Sequence, residues 1–368
     1  MLTLGAQLVM LNRLSLVSSA LPNKVDATVE LIAEHYVQAR APWILGFSGG
    51  KDSSALLRLT YSALLRAPKQ NPVSIVYCDT GVDIPIVASL VRRTLRKVAV
   101  EAKEDGLPLS VRVARPLLEE TYFVKVIGRG YPPPTNKFRW CTDRLRIDPI
   151  QRTISKLSSD DTFVLLGVRH GESAERDRTL SGLKTDQPFM LLQRDAQRTT
   201  VFAPIINYTT KDVWETLSFL QLPRALESDR LKALYREAGG ECPIIRDPNG
   251  TPCGKGRFGC WTCTVVRQDR GMSGLVDSGH EKLRPLLQFR NWLIEMRDDP
   301  QFRCTSRRNG GKGPGPLTLE ARRVILRGLR SAERRSGMKL ISDKELAAIK
   351  RLWKVDRESS SYRAIEAR

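Results

Sequence analysis

The 368-residue chain is short of histidine, of acidic charge and of long apolar runs. Its three histidines are scattered, and only His170 falls near the site developed below, where it reads as a solvated loop side chain. No run of some twenty apolar residues occurs, which excludes a membrane-spanning helix from the sequence. The apolar stretch from Leu2 to Leu21 is broken by Asn12-Arg13 and follows no basic segment, so no signal peptide is expected. The expected location is therefore the reducing cytoplasm. Seven cysteines there point to metal or redox chemistry rather than to disulfides. Acidic residues number 40 against 60 basic ones, a net charge of +20. Residues 301–368 hold 18 Lys and Arg against 7 Asp and Glu, so +11 of that excess is concentrated at one end. Such a field favours polyanions, nucleic acid first.

What the chain does have is organised around residues 43–54, WILGFSGGKDSS. Ile44, Leu45 and Phe47 suit a buried strand, and Leu56, Leu57, Leu59 and Leu64 give the apolar face of a following helix. Between them, two glycines permit a tight turn whose amides and helix N-terminus attract anions, and Lys51 adds a full charge. The site suits nucleotide phosphates. The kinase-type pattern G-x-x-x-x-G-K-[ST] fails, because Leu45 and Asp52 stand where Gly and Ser/Thr are needed. G-x-G-x-x-G fails as well. What remains is Ser48-Gly49-Gly50-Lys51-Asp52-Ser53.

The pattern predicts an α/β fold with a parallel sheet. A helical segment over 1–40 precedes strands at 43–47, 73–78, 110–114, 163–168 and 201–205, with helices between them. Asp79 and Thr80 are expected at the carboxyl edge of the second strand, beside the phosphate loop, and Arg169 at the edge of the fourth. Thr142 or Asp143 is expected to cap a helix running to Lys156, and Thr209 or Thr210 one running to Leu220. Beyond residue 225 the composition shifts to Gly, Cys and Pro, then to basic helices near 282–298, 319–336 and 343–356. The expected domains are 1–40, 41–225, a Cys-rich region 226–290 and a basic helical region 291–368.

Two cysteine features carry chemistry. Cys242, Cys253, Cys260 and Cys263 are spaced C-x10-C-x6-C-x2-C, a set suited either to tetrahedral Zn²⁺ or to an iron–sulfur cluster. Cys141 follows Arg139-Trp140 at an expected helix start, with Lys137, Arg144 and Arg146 close in sequence. Such neighbours favour a thiolate able to carry or attack a persulfide sulfur.

Four motifs in one order resemble the phosphoadenylylsulfate-reductase-like branch of PP-loop ATP pyrophosphatases. They are Ser48–Ser53, Arg139-Trp140-Cys141-Thr142, Gly167-Val168-Arg169 with Glu172-Ser173, and Pro204-Ile205 with Asp212-Val213-Trp214. Phe258 to Val266 and Lys312 to Glu320 narrow the likeness to the DndC and SspD type of ATP pyrophosphatase in bacterial DNA phosphorothioation.

The resemblance implies ATP cleavage between the α and β phosphates. Lys51 and the loop amides would hold the β and γ phosphates, Asp52 would help place Mg²⁺, and Arg169 would neutralise the departing pyrophosphate. It implies Asp79 beside adenosine and a [4Fe-4S] cluster on Cys242, Cys253, Cys260 and Cys263, with Zn²⁺ as the alternative. DNA, a cysteine desulfurase and other phosphorothioation proteins are the implied partners, with no membrane. Rival readings are a phosphoadenylylsulfate reductase, a tRNA thiolation enzyme, and a nucleotide-sensing DNA-binding subunit that is not an enzyme. The reductase expects a cysteine near the C-terminus, whereas the last one here is Cys304.

Overall fold

The computed structural model describes residues 21–39, 41–68, 71–157, 162–171, 178, 180–182, 189–192, 200–239, 258–307, 311 and 313–359. Among the described residues six strands form one sheet: β1 (Trp43–Phe47), β2 (Val73–Cys78), β3 (Leu109–Ala114), β4 (Phe163–Leu165), β5 (Met190–Leu192) and β6 (Thr200–Phe202). Their order is β3-β2-β1-β4-β6-β5. Five strands run parallel, with Leu45 opposite both Ile75 and Leu165; only β5 is antiparallel, on β6. The α/β fold is thus as the sequence led us to expect, with one addition. The edge strand β5 was not foreseen, because it lies in a polar stretch without strand alternation.

Strand β1 is central, and Trp43, Ile44, Leu45 and Phe47 are all buried. That explains its unbroken apolar run, since a strand covered on both faces has no solvent side to mark. The chain proceeds from β1 to β2 and β3 on one side, then to β4 on the other. The turn after β1 therefore lies where the strand order reverses, the usual ligand position in such sheets.

By its internal contacts the chain divides into two units. The first comprises residues 1–78, 89–114 and 152–232, and holds the whole sheet. Within it, helix α1 (Leu21–Gln38) brings Tyr36 edge-on to Trp43, ring centroids 5.3 Å apart. Helix α2 (Lys51–Arg66) follows the loop and is buried along Leu56, Leu57, Leu59 and Leu64. Arg58, also buried, donates to the carbonyls of Leu220 and Leu226 and to Ser228 Oγ, holding the segment beyond helix α5 (Thr210–Phe219). Helix α3 (Pro85–Glu104) turns Arg92, Arg93, Arg96 and Lys97 outward, as its spacing predicts.

The second unit comprises residues 79–88, 115–151 and 233–368. Its buried spine is a π-helical turn, Val124–Gly128. Helices α9 (Leu319–Ser336) and α10 (Asp343–Glu358) bond to its carbonyls: Arg322 donates to Gly128 O at 2.6 Å and Trp353 Nε1 to Ile127 O at 2.7 Å. Arg322 is fully buried and also pairs with Asp356 at 2.8 Å. Helix α8 (Arg284–Asp298) lies close to α9 at Gly328, where a Cβ would fall 2.7 Å from Trp292. These basic helices lie where their spacing predicts. That 79–88 and 115–151 group with them depends on contacts far apart along the chain, which local spacing does not reveal. The expected Cys242 and Cys253, with Glu172, Ser173 and the first twenty residues, lie outside the described residues.

Candidate functional site

The Ser48–Ser53 loop is tied by its own hydroxyls. Ser53 Oγ receives the Ser48 N–H at 3.2 Å, stands 3.1 Å from Ser48 Oγ and donates to Gly50 O at 3.1 Å. Ser48 Oγ in turn receives the Gly50 N–H at 3.3 Å. The two serines of the motif therefore close the loop on itself. Gly49 has a left-handed φ of 76°, and a Cβ there would stand 2.2 Å from Val91 Cγ2. Gly50 is the N-cap of α2 and supplies no side chain to bond the first helical amides. That leaves the helix start suited to an anion.

Gly167, just beyond β4, lies against the same helix start, where a Cβ would stand 2.9 Å from the Asp52 carbonyl carbon. The next turn of chain brings in Arg169, which is 4% exposed. Its guanidinium pairs with Asp52 Oδ1 and donates to Tyr208 O at 3.0 Å and Thr210 Oγ1 at 3.4 Å. Lys51 Nζ is 3.3 Å from Asp52 Oδ2. Lys51, Asp52 and Arg169, read separately from the sequence, thus form one charged row. Both Asp52 oxygens face protein cations, so Asp52 organises Lys51 and Arg169. The partners Tyr208 and Thr210 were missed by sequence reasoning; only the cap signal at Thr209 pointed to that corner. Thr209 does cap α5, in a capping box with Asp212.

Asp79 and Thr80 follow β2 as expected but belong to the second unit. Asp79 accepts the Gly81 N–H at 3.2 Å and pairs with Arg115 at 3.4 Å, so it has a turn-capping role. Thr80 Oγ1 is 3.8 Å from Cys260 Sγ. Asp83 and Cys260 form a β-bridge, and the Trp261 N–H donates to Val82 O at 2.9 Å. The segment after β2 is thus clipped to the cysteine turn.

That turn is closed by the Cys263 N–H on Cys260 O at 3.0 Å, and both thiols are free. Arg290, fully buried, donates to Cys263 O at 2.7 Å, to Arg267 O at 3.0 Å and to Val266 O. Arg297 donates to Thr264 O at 2.9 Å. Two arginines of α8 therefore fix the path of the C-x2-C loop by its carbonyls, a role no sequence motif marks. Arg146 lies 3.7 Å from Cys260 Sγ and 3.7 Å from Asp83.

Cys141 is half-buried within electrostatic reach of Cys260 and Cys263. Its expected low pKa is not found. Burial, then the two cysteines, push the thiol up to about 11, against weaker lowering by Thr142 and Arg139. The expected cap differs too: the helical run starts at Trp140 without a side-chain cap and passes through a π-turn, Asp143–Ile147, into helix α4 (Asp148–Leu157). Among the described residues no three His, Cys, Asp or Glu side chains converge as a metal site. The free thiols at both ends of the Cys260–Cys263 turn fit two corners of a four-thiolate group; Cys242 and Cys253 lie outside the described residues. Among the described residues no helix is long and apolar enough to cross a membrane.

Comparison with known proteins adds the family. Residues 42–266 match the phosphoadenosine phosphosulfate reductase domain. A curated relative, an uncharacterized protein of Methanocaldococcus jannaschii, is 28% identical over 148 residues, 40% of this chain. The chain spans only 27% of that relative's length. Among solved structures, the phosphoadenylyl-sulfate reductase of Candida auris is 15% identical and covers 60% of this chain and 90% of its own, with a TM-score of 0.36. The U34-tRNA thiolase NcsA of Methanococcus maripaludis, solved with its [4Fe-4S] cluster, is 12% identical and covers 75% and 80%, with a TM-score of 0.37. The NH3-dependent NAD synthetase of Campylobacter jejuni is 14% identical and covers 76% and 95%, with a TM-score of 0.36. With well over half its length matched by the family profile, the chain belongs to the phosphoadenosine phosphosulfate reductase domain family.

Proposed function

We propose that the protein is an ATP pyrophosphatase that activates a DNA backbone phosphate for sulfur incorporation. The observation that carries this reading is the Ser48–Ser53 loop: a self-tied turn at the carboxyl end of the central strand, with Lys51 and Arg169 bracketing Asp52 at the start of α2. Family membership supports nucleotide chemistry there. The charge of +20 supports a polyanionic substrate.

In this reading the loop amides and Lys51 hold the β and γ phosphates of ATP. A non-bridging oxygen of the DNA phosphate attacks the α phosphorus, and the bond to the β phosphate breaks. Arg169, held by Asp52 and Tyr208 O, faces the charge that accumulates on the departing pyrophosphate. The DNA phosphate now carries AMP as leaving group. Sulfur from a cysteine desulfurase, carried as a persulfide on Cys141, attacks the DNA phosphorus and AMP departs. A thiol then cleaves the S–S bond, releasing the phosphorothioate and leaving a disulfide. Cys242, Cys253, Cys260 and Cys263 would hold a [4Fe-4S] cluster, which when bound supplies electron or sulfur handling. Arg290 and Arg297 keep the Cys260–Cys263 turn in shape for it. The basic helices α9 and α10 contact DNA phosphates, which position the strand without reading its sequence.

The test is mass spectrometry of nuclease-resistant dinucleotides from cells carrying the wild type or Lys51→Ala, paired with pyrophosphate release from ATP in vitro. Loss of the phosphorothioate linkage and of pyrophosphate release in the variant is expected. Pyrophosphate release absent from the wild type, with DNA and partners supplied, would refute the enzymatic reading.

A further inference from the structure

We propose that the Thr135–Arg139 turn is a stacking platform for an unpaired DNA base, with Lys137 and Arg139 on the flanking phosphates. The inference rests on the DNA reading above and adds which form of the substrate the protein holds.

The turn is built to hold one shape. Thr135 and Phe138 exchange both backbone bonds at 3.2 Å, and Thr135 Oγ1 accepts a second bond from the Phe138 N–H at 3.1 Å. Pro132, Pro133 and Pro134 stiffen its approach, and Trp140 Nε1 pins it by donating to Pro132 O at 3.0 Å. This rigid tip carries Asn136, Lys137, Phe138 and Arg139 outward, all exposed. Phe138 is 45% exposed, which leaves ring surface open to stacking.

Its inner support is aromatic. Phe138 stacks on Tyr131 at 6.3 Å and 21°, Tyr131 meets the Trp140 edge at 5.5 Å, and Trp140 stacks on Tyr122 at 5.7 Å. A row of rings thus runs from the interior to the surface and ends in an exposed ring. Among the described residues neither Lys137 nor Arg139 has an acidic partner within ion-pair reach. Arg144 and Arg146, further along, are committed to Glu120, Asp148 and Asp83. An exposed ring flanked by two cations that lack an acidic partner among the described residues matches the chemistry of single-stranded nucleic acid, where bases stack and phosphates seek charge. In a duplex the base faces are already stacked, so the ring would gain nothing there. The tip ends two residues before Cys141, which sets a held nucleotide beside that thiol along the chain.

The experiment measures binding of the full chain, without ATP, to a labelled oligothymidylate and to a labelled hairpin duplex, by anisotropy across a salt series. Phe138→Ala is expected to weaken single-strand binding by roughly five- to a hundredfold and to spare the duplex. Its salt slope should stay that of the wild type. Phe138→Trp should restore the affinity. Lys137→Ala with Arg139→Ala should instead flatten the single-strand slope by about 1.4, two phosphates at ~0.7 each. Equal losses on both DNAs, or unchanged single-strand affinity in Phe138→Ala with an unchanged melting curve, would overturn the proposal. The two readings fail separately: stacking without any phosphorothioate product removes the function proposed above and keeps this one. Phosphorothioate product with wild-type binding in Phe138→Ala does the reverse.

Discussion

The guanidinium of Arg169 is paired with the carboxylate of Asp52, 117 residues away in sequence, with side chains 5% and 14% exposed. The same carboxylate faces Lys51 at 3.3 Å. A single acid thus sets the position of both cations that the nucleotide would meet.

Asp52→Ala should therefore leave a buried guanidinium uncompensated. Breaking one partner of such a pair costs about 3 kcal/mol. Urea unfolding should show that loss, and adding Arg169→Met to the Asp52→Ala background should recover part of it. Additive losses in the double variant would argue against the pairing.

Gly49→Ala tests the loop. The left-handed φ disfavours a side chain by about 1–2 kcal/mol, and the new methyl would overlap Val91. We expect lowered stability and loss of pyrophosphate release. Val91→Ala in the same chain should relieve the overlap but not the backbone strain, so its melting temperature should recover only in part.

Asp212 supplies a pH-dependent test. Burial pushes its carboxyl up, but the bonds from Lys24 Nζ at 2.7 Å and from the Thr209 N–H at 2.8 Å outweigh this and hold it below its ordinary value. A depressed folded-state pKa stabilises the protein above the ordinary carboxylate range, and that stability is lost as pH falls through the folded value. Asp212→Asn should therefore cost about 1–2 kcal/mol near neutral pH, by loss of the Lys24 pair and weakening of the cap, with the gap from wild type closing in acid. Because Thr210 beside this cap receives Arg169, the neutral-pH variant should also release pyrophosphate more slowly. A gap that widens in acid would contradict the assignment.

If the proposed mechanism holds, Cys141→Ser separates its two half-reactions. Pyrophosphate release should persist within about twofold, while the phosphorothioate linkage disappears from nuclease-resistant dinucleotides. Retained linkage would remove Cys141 from the sulfur route. The high thiol pKa makes this test informative, since Cys141 is not activated by its surroundings in the way its basic neighbours suggested.

Those neighbours show where sequence reading stops. The strand, loop and helix around Ser48–Ser53 were legible because each signal is local: an apolar run, glycines, then helical spacing. The helices at 284–298, 319–336 and 343–358 were legible for the same reason. The environment of Cys141 was not, since burial and the thiols of Cys260 and Cys263, some 120 residues on, outweigh the lowering by Arg139. Likewise the burial of Arg290 and its bonds to the cysteine loop leave no mark in composition, because a surface arginine and a buried one are spelled alike.

The division of the chain has a consequence for how such a protein changes over time. Neither unit is encoded by one uninterrupted stretch: the chain leaves the sheet unit at Cys78, returns at Ser89, leaves again after Ala114 and comes back at Arg152. A recombination event that swaps the front or back of the gene anywhere between codons 79 and 232 therefore cuts both units at once. Such an exchange would part the Ser48–Ser53 loop from the cysteine turn only by leaving each unit assembled from two parents.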